Sequence, residues 1–123
     1  IDQMLKTNYE TKVKINKNEL YGCIDRATLL LREAEKKPVI LHVKEDEIQM
    51  EMNTKIGSMD EEVTAEKEGK DLVIAFNPKY INDVLKVIDD EEVTLYLFNA
   101  NAPCFIKILE ESYIYLILLV NMN

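Results

Sequence analysis

One unit of this sequence occurs twice. A strand-like stretch followed by a helical one runs through Lys12-Val13-Lys14-Ile15-Asn16-Lys17-Asn18-Glu19-Leu20 to Ile24. It recurs at Leu72 to Ala75 followed by Phe76-Asn77-Pro78-Lys79-Tyr80-Ile81-Asn82-Asp83-Val84-Leu85-Lys86-Val87-Ile88. A shift of about 61 residues superposes Ile15 on Phe76, Asn16 on Asn77, Leu20 on Ile81 and Ile24 on Leu85. Self-similarity at a fixed offset means one supersecondary unit used twice, neither copy able to bury its apolar face alone. The chain is thereby restricted to folds in which two equivalent halves share a core, and its 123 residues suit one domain rather than two independent ones.

In the first half, Tyr9 to Ile15 reads as a strand, and Asn16 or Asn18 can cap a helix running to about Glu33, with Leu20, Ile24, Ala27 and Leu31 at helical spacing. Lys36-Lys37-Pro38 closes that helix, because proline disfavours the helical basin before it and supplies no amide. Val39 to Val43 follows as a strand and Glu45-Asp46-Glu47 as a turn. Ile48, Met50 and Met52 then alternate with Gln49 and Glu51 as the returning arm of a hairpin. Beyond Gly57, Ser58 to Lys67 reads as a third strand, with Met59, Glu61, Val63 and Ala65 on one side, ending at Glu68-Gly69-Lys70. The second half repeats the order: strand Leu72 to Phe76, helix Pro78 to Ile88, then strands Val93 to Phe98, Cys104 to Leu109 and Tyr113 to Val120. The expected class is α+β, a duplicated β-α-β-β-β unit. Two helices cannot cover both faces of eight strands, so they should pack together on one face of antiparallel sheets.

The net charge of -8 argues against a surface that grips nucleic acid throughout, since phosphate binding needs clustered Lys and Arg. Cys23 and Cys104 have no second cysteine or histidine at ligand spacing, so they read as buried thiols of a reducing compartment, with no metal and no cofactor. The start at Ile1 carries no basic leader, and the apolar run Tyr113 to Val120 is shorter than the ~20 residues of a membrane helix. A cytosolic fragment of a longer chain is expected. His42 sits mid-strand without a nucleophile pattern, and no phosphate loop, dinucleotide fingerprint or paired-histidine motif occurs. Asp60-Glu61-Glu62 and Asp89-Asp90-Glu91-Glu92 read as a strand edge and a helix-to-strand turn; an enzyme would need such carboxylates to converge in a pocket. No enzyme is expected. The terminal Tyr113 to Asn123 stops alternating after Leu116, so a strand there either lies in the core or leaves an apolar face for a partner.

Phe76-Asn77-Pro78-Lys79-Tyr80 leading into Asp83-Val84-Leu85, the strand ending at Phe98-Asn99, and the terminal Tyr113-Ile114-Tyr115-Leu116-Ile117-Leu118 together resemble the C-terminal third of bacterial DNA polymerase III beta sliding clamps. Asp25-Arg26-Ala27 in the first helix joins the resemblance, which runs over essentially the whole chain. Residues 1–7 correspond to a linker from the preceding domain and 8–123 to the clamp C-terminal domain. The resemblance implies a DNA-clamp fold within a ring of two head-to-tail chains, three domains each, that encircles duplex DNA and tethers the polymerase. A topological link needs no strong phosphate grip, which accommodates the acidity. Arg26, Lys79 and Lys86 would face the DNA. The implied partners are the DNA polymerase III catalytic subunit, the clamp loader, repair and other polymerases carrying clamp-binding motifs, and a second copy of the full-length chain, in the bacterial cytoplasm at the nucleoid.

Partners of such clamps insert a linear motif into a pocket, whose share here would be Asn77, Tyr80, Pro103, Leu116, Leu118, Leu119, Val120 and Asn121. Leu119 stands where the family usually has proline and Asn121 where some members have arginine. Ring closure would use Ser58 to Glu66 as an edge strand, with Asp60, Glu61 and Glu62 facing basic residues of the other chain and Leu29 and Leu30 adding apolar contact. The matching turn of the first half, Asn16 and Glu19, lacks the tyrosine, so only the second copy is equipped for docking. The alternative is a free-standing, non-enzymatic protein-binding domain with a duplicated fold and no DNA role.

Overall fold

The computed structural model describes residues 9–30, 37–54, 57–99, 102–108, 114–117 and 119–120, with Ile108 and Ile114 to Leu116 entering through strand pairing alone. Its elements are β1 (Thr11–Asn16), α1 (Lys17–Leu30), β2 (Val39–Val43), β3 (Glu47–Thr54), β4 (Gly57–Gly69), β5 (Leu72–Phe76), α2 (Pro78–Lys86), β6 (Glu92–Leu97), β7 (Cys104–Ile108) and β8 (Ile114–Ile117). The order is strand, helix and three strands, twice, as the duplication requires. The expected linker 1–7, the helix end at 31–33 and the strand ends at Leu109 and Tyr113 lie outside the described residues.

Both helices begin as the repeat predicts. Asn16 Oδ1 accepts from the Glu19 N–H at 2.9 Å, and Asn77 Oδ1 accepts from the Lys79 N–H at 2.9 Å, each satisfying an amide that the first turn leaves without a partner. α2 ends at Lys86, two residues before the expected Ile88. The amides of Val87 and Ile88 reach back only three residues, to Val84 and Leu85, so the last turn tightens out of the α form.

The strands lie in the order β5-β2-β3-β4-β1-β6-β7-β8, every pairing antiparallel. β4 changes partner along its length. From Gly57 to Thr64 it pairs with β3, and from Ala65 to Gly69 with β1. Over Gly57 to Thr64 its other edge carries no strand among the described residues. The first strand of each half lies against the other half: β1 pairs with β6 from Thr11↔Leu97 to Asn16↔Glu92, and β5 pairs with β2 from Val39↔Phe76 to Val43↔Leu72. The outer strands also meet, through an antiparallel bridge Phe76↔Leu119 and a hydrogen bond from Val120 N to Ala75 O of 2.7 Å. Since Phe76 is the repeat of Ile15, this bridge is the counterpart of Ile15↔Ala65.

Alternate strand residues and one stripe of each helix supply a single core. Val13, Ile15, Leu41, Ile48, Met50, Ile74 and Leu95 are buried beneath Leu20, Cys23, Ile24 and Ala27 of α1 and Ile81, Val84 and Leu85 of α2. Each such side chain stabilises the fold by about 1.5–3 kcal/mol on burial.

Both cysteines are free thiols and buried. Burial pushes the Cys104 thiol up to about 12, because a thiolate there would lose its hydration. The unfolded thiol titrates near 9.0, so this site's contribution to stability is fully present below pH 9 and lost as pH rises from 9 toward 12. Urea unfolding should therefore give a midpoint that falls over that window, and Cys104→Ala should make the fall shallower. An identical slope in the variant would contradict the assignment.

Candidate functional site

The expected docking residues occupy the point where the second half passes from strand to helix. β5 ends at Phe76, Asn77 remains extended at φ -76° and ψ 116°, and Pro78 is buried at the first helical position. With Asn77 as cap and Pro78 pinning φ, the first turn has one conformation. It buries Ile81 and leaves the Tyr80 ring 52% exposed. The bridge to Phe76 and the bond to Ala75 set Leu119 and Val120, both half-buried, beside that turn. The hydrogen bond of this join comes from the Val120 amide. Half-buried Pro103 precedes Cys104, which pairs with Ile117, and thus stands at the end of the sheet where the chain leaves β8. Leu116 pairs with Phe105. Asn77, Tyr80, Leu119 and Val120 are therefore brought together; Leu118 and Asn121 lie outside the described residues.

The expected ring edge also gathers several of its residues. Leu29 is 74% exposed near the end of α1, while Leu30 turns inward onto the core, its Cδ2 3.8 Å from where a side chain on Gly57 would begin. The end of the helix thus sits beside the start of β4. Strand alternation divides the acidic run. Asp60 and Glu62 are exposed, Asp60 accepting a hydrogen bond from Gln49 Nε2 at 3.2 Å. Glu61 points the other way, in the row of buried Met59 and Val63, and meets Arg26 of α1.

That meeting ties the two residues together. Arg26 Nε donates to Glu61 Oε2 at 2.7 Å and Nη2 donates to Oε1, a two-pronged ion pair. Cys23 Sγ adds a 3.4 Å hydrogen bond to Glu61 Oε1. Arg26 holds the Glu61 carboxyl below its usual range, and the carboxylate raises the guanidinium. Glu61 and Arg26 thus have each other as partners within the chain, with the Arg26 side chain still 56% exposed. Lys79 and Lys86 are exposed seven residues apart on α2, on one face of the helix.

Sequence reasoning saw no acid near His42. Its Nε2 lies 3.0 Å from Glu51 Oε1, across the β2–β3 pairing. Glu51 stands two residues from Gln49, the direct pairing partner of His42, and is a diagonal neighbour on the same face that sequence inspection does not reveal. Among the described residues no group of three or more His, Cys, Asp or Glu could hold a metal. A shallow apolar depression that the sequence did not announce is lined by His42, Val43, Lys44, Asp71, Leu72 and Val73, with Val73 41% exposed.

The family described as DNA polymerase III beta subunit, C-terminal domain, matches residues 2–121. The chain belongs to this family. The beta sliding clamp of Staphylococcus aureus (strain N315) is 38% identical over 107 residues, covering 85% of this chain and 28% of that protein. A crystal structure of a putative DNA polymerase III beta subunit from Eubacterium rectale is similar over 100% of this chain and 33% of its own, with a TM-score of 0.94 at 55% identity. The DNA polymerase III beta subunit of Thermotoga maritima gives a TM-score of 0.87 at 31% identity, over 99% of this chain and 34% of that one. This beta-subunit domain therefore has the clamp fold that the resemblance implied, and it spans about a third of the relatives it matches.

Proposed function

We propose that this chain is the third domain of a DNA-encircling sliding clamp, a non-catalytic processivity factor that tethers the replicative polymerase and docks partners beside the first turn of α2. The observation that carries the docking reading is the exposed Tyr80 on a capped, proline-pinned turn, with Leu119 and Val120 joined to the strand that leads into it. An amphipathic ring with an aliphatic wall suits a peptide bearing apolar anchors and a polar group. The open edge of β4 with the exposed Leu29 supports closure against a second copy of the full-length chain. Encirclement holds DNA by topology, so exposed Lys79 and Lys86 suffice beside a net charge of -8. The polymerase III catalytic subunit, the clamp loader and repair polymerases with clamp-binding motifs are the partners this reading implies, and the bacterial cytoplasm is its compartment.

A fluorescent clamp-binding peptide titrated onto the full-length chain tests the pocket. Tyr80→Ala is expected to weaken binding by about 30-fold, the loss typical of an aromatic anchor in an interface centre. Leu118→Ala should weaken it as well. Unchanged affinity in both variants would remove the pocket from α2. A full-length reading frame without two further duplicated domains upstream would favour the free-standing binding domain.

A further inference from the structure

The Arg26–Glu61 pair has a task that neither the fold nor the docking pocket accounts for. Glu61 occupies an inward row of β4 between Met59, 9% exposed, and Val63, 3% exposed, where an apolar residue would ordinarily continue the core. A carboxylate there is costly unless paired. Its partner comes from α1, and the guanidinium lies along the helix: a side chain on Gly22 would begin 3.5 Å from Arg26 Nη1. Nη2 also donates to Cys23 Sγ at 3.4 Å, so Arg26, Cys23 and Glu61 close a triangle between helix and strand. Leu29 and Leu30 follow on the next turn, three and four residues on, the spacing that places side chains on one side of a helix.

The repeat supplies an independent observation. In the second half the position matching Arg26 is Val87, 65% exposed, and the one matching Cys23 is Val84. The triangle is confined to the half that carries β4.

We infer that Arg26 and Glu61 are a positioning pair that locks α1 to the open edge of β4, so that Leu29 and the edge backbone meet the second copy as one pre-arranged surface, with Leu30 seated beneath it on the core. The inference rests on the reading that this edge closes the ring. Lost preorganisation is a direct cost of association, because the surface must then be ordered at the moment of binding. Arg26 acts here through the edge it holds, and touches neither DNA nor the second copy.

The test is self-association of the full-length chain by sedimentation, well below its unfolding temperature, with thermal unfolding and pocket-peptide affinity measured alongside. Arg26→Gln and Glu61→Gln are each expected to raise the dissociation constant about ten-fold, as expected for breaking a partly shielded charge pair. Peptide affinity should stay unchanged. The exchange Arg26→Glu with Glu61→Arg should return association to within about three-fold of the original, since the pair is reversed but retained. Arg26→Lys, which keeps charge and loses the planar fork, should fall between. Single variants that lower the unfolding temperature and leave association untouched would overturn the inference, reducing the pair to internal glue. An exchange as defective as the singles would overturn it too, because each residue would then act on something other than its partner. Leu29→Asp separates the two layers: normal association in that variant would sink the ring-edge reading itself, whereas a defect in Leu29→Asp without one in the pair variants would sink the positioning role alone.

Discussion

Phe76→Ala is expected to destabilise the domain by about 3–5 kcal/mol, the range for removing a buried aromatic side chain and leaving a cavity. Phe76 is 2% exposed and pairs with Val39 on one side and Leu119 on the other. Little can move into the vacated space, because the strands on both sides are held by backbone bonds. Urea unfolding of the domain should show the midpoint falling with an unchanged slope, the signature of lost stability without a change in the surface exposed. A loss below about 1.5 kcal/mol would mean that the site collapses freely, contrary to the two-sided pairing. The substitution should also weaken peptide binding, since Asn77 and the first turn of α2 follow directly from this residue.

Gly69→Ala should cost at least about 3 kcal/mol, since strain at a backbone conformation closed to side chains adds to a backbone collision. Gly69 has a φ of 110°, and an added Cβ would stand 2.0 Å from the Glu10 carbonyl oxygen and 3.0 Å from Thr11 Cα. The obstruction is main chain, which cannot rotate away. Gly69 also faces Thr11 in the β1–β4 pairing, and Thr11, fully buried, donates from its hydroxyl to Lys70 O at 2.7 Å. A relaxation that spared the clash would break this join. Gly22→Ala provides the contrast: its new Cβ would meet only Arg26 at ordinary contact distance, and within a helix the exchange should be stabilising by about 0.5–1 kcal/mol. Thermal unfolding of the two variants should move in opposite directions. Equal shifts would show that the conformation of Gly69 relaxes without penalty.

The repeat carried most of the architecture. Asn16 and Asn77 announce their helices because capping is a matter of a few neighbouring atoms, and the strands from Val39 to Phe76 announce themselves through alternation. Apart from the β2–β3 hairpin, what did not show in the sequence is which strand pairs with which. The change of partner at Ala65 and the bridge of Phe76 to Leu119 join residues far apart in sequence, and no local pattern encodes such a choice. The candidate site divides in the same way. Tyr80 was singled out only through the family resemblance, and the side of Glu61 followed from alternation, but its partner did not. Arg26 looked like a surface cation, because its place on the helix gives no sign of an acid on a strand thirty-five residues later.

Because β1 lies with the strands of the second half and β5 with those of the first, neither half owns a complete sheet. During synthesis the free edge of β2 waits for residues 72–76, and β1, which can already pair with β4, has its other edge open until residues 92–97 arrive. The core can assemble only when most of the chain is available, which makes folding a late and all-or-none event. The same pairing between two separate half-length chains would be a strand-exchanged dimer. Fusing two copies end to end turns an association that depends on concentration into one that does not, so the domain behaves as a dimer that can never dilute apart.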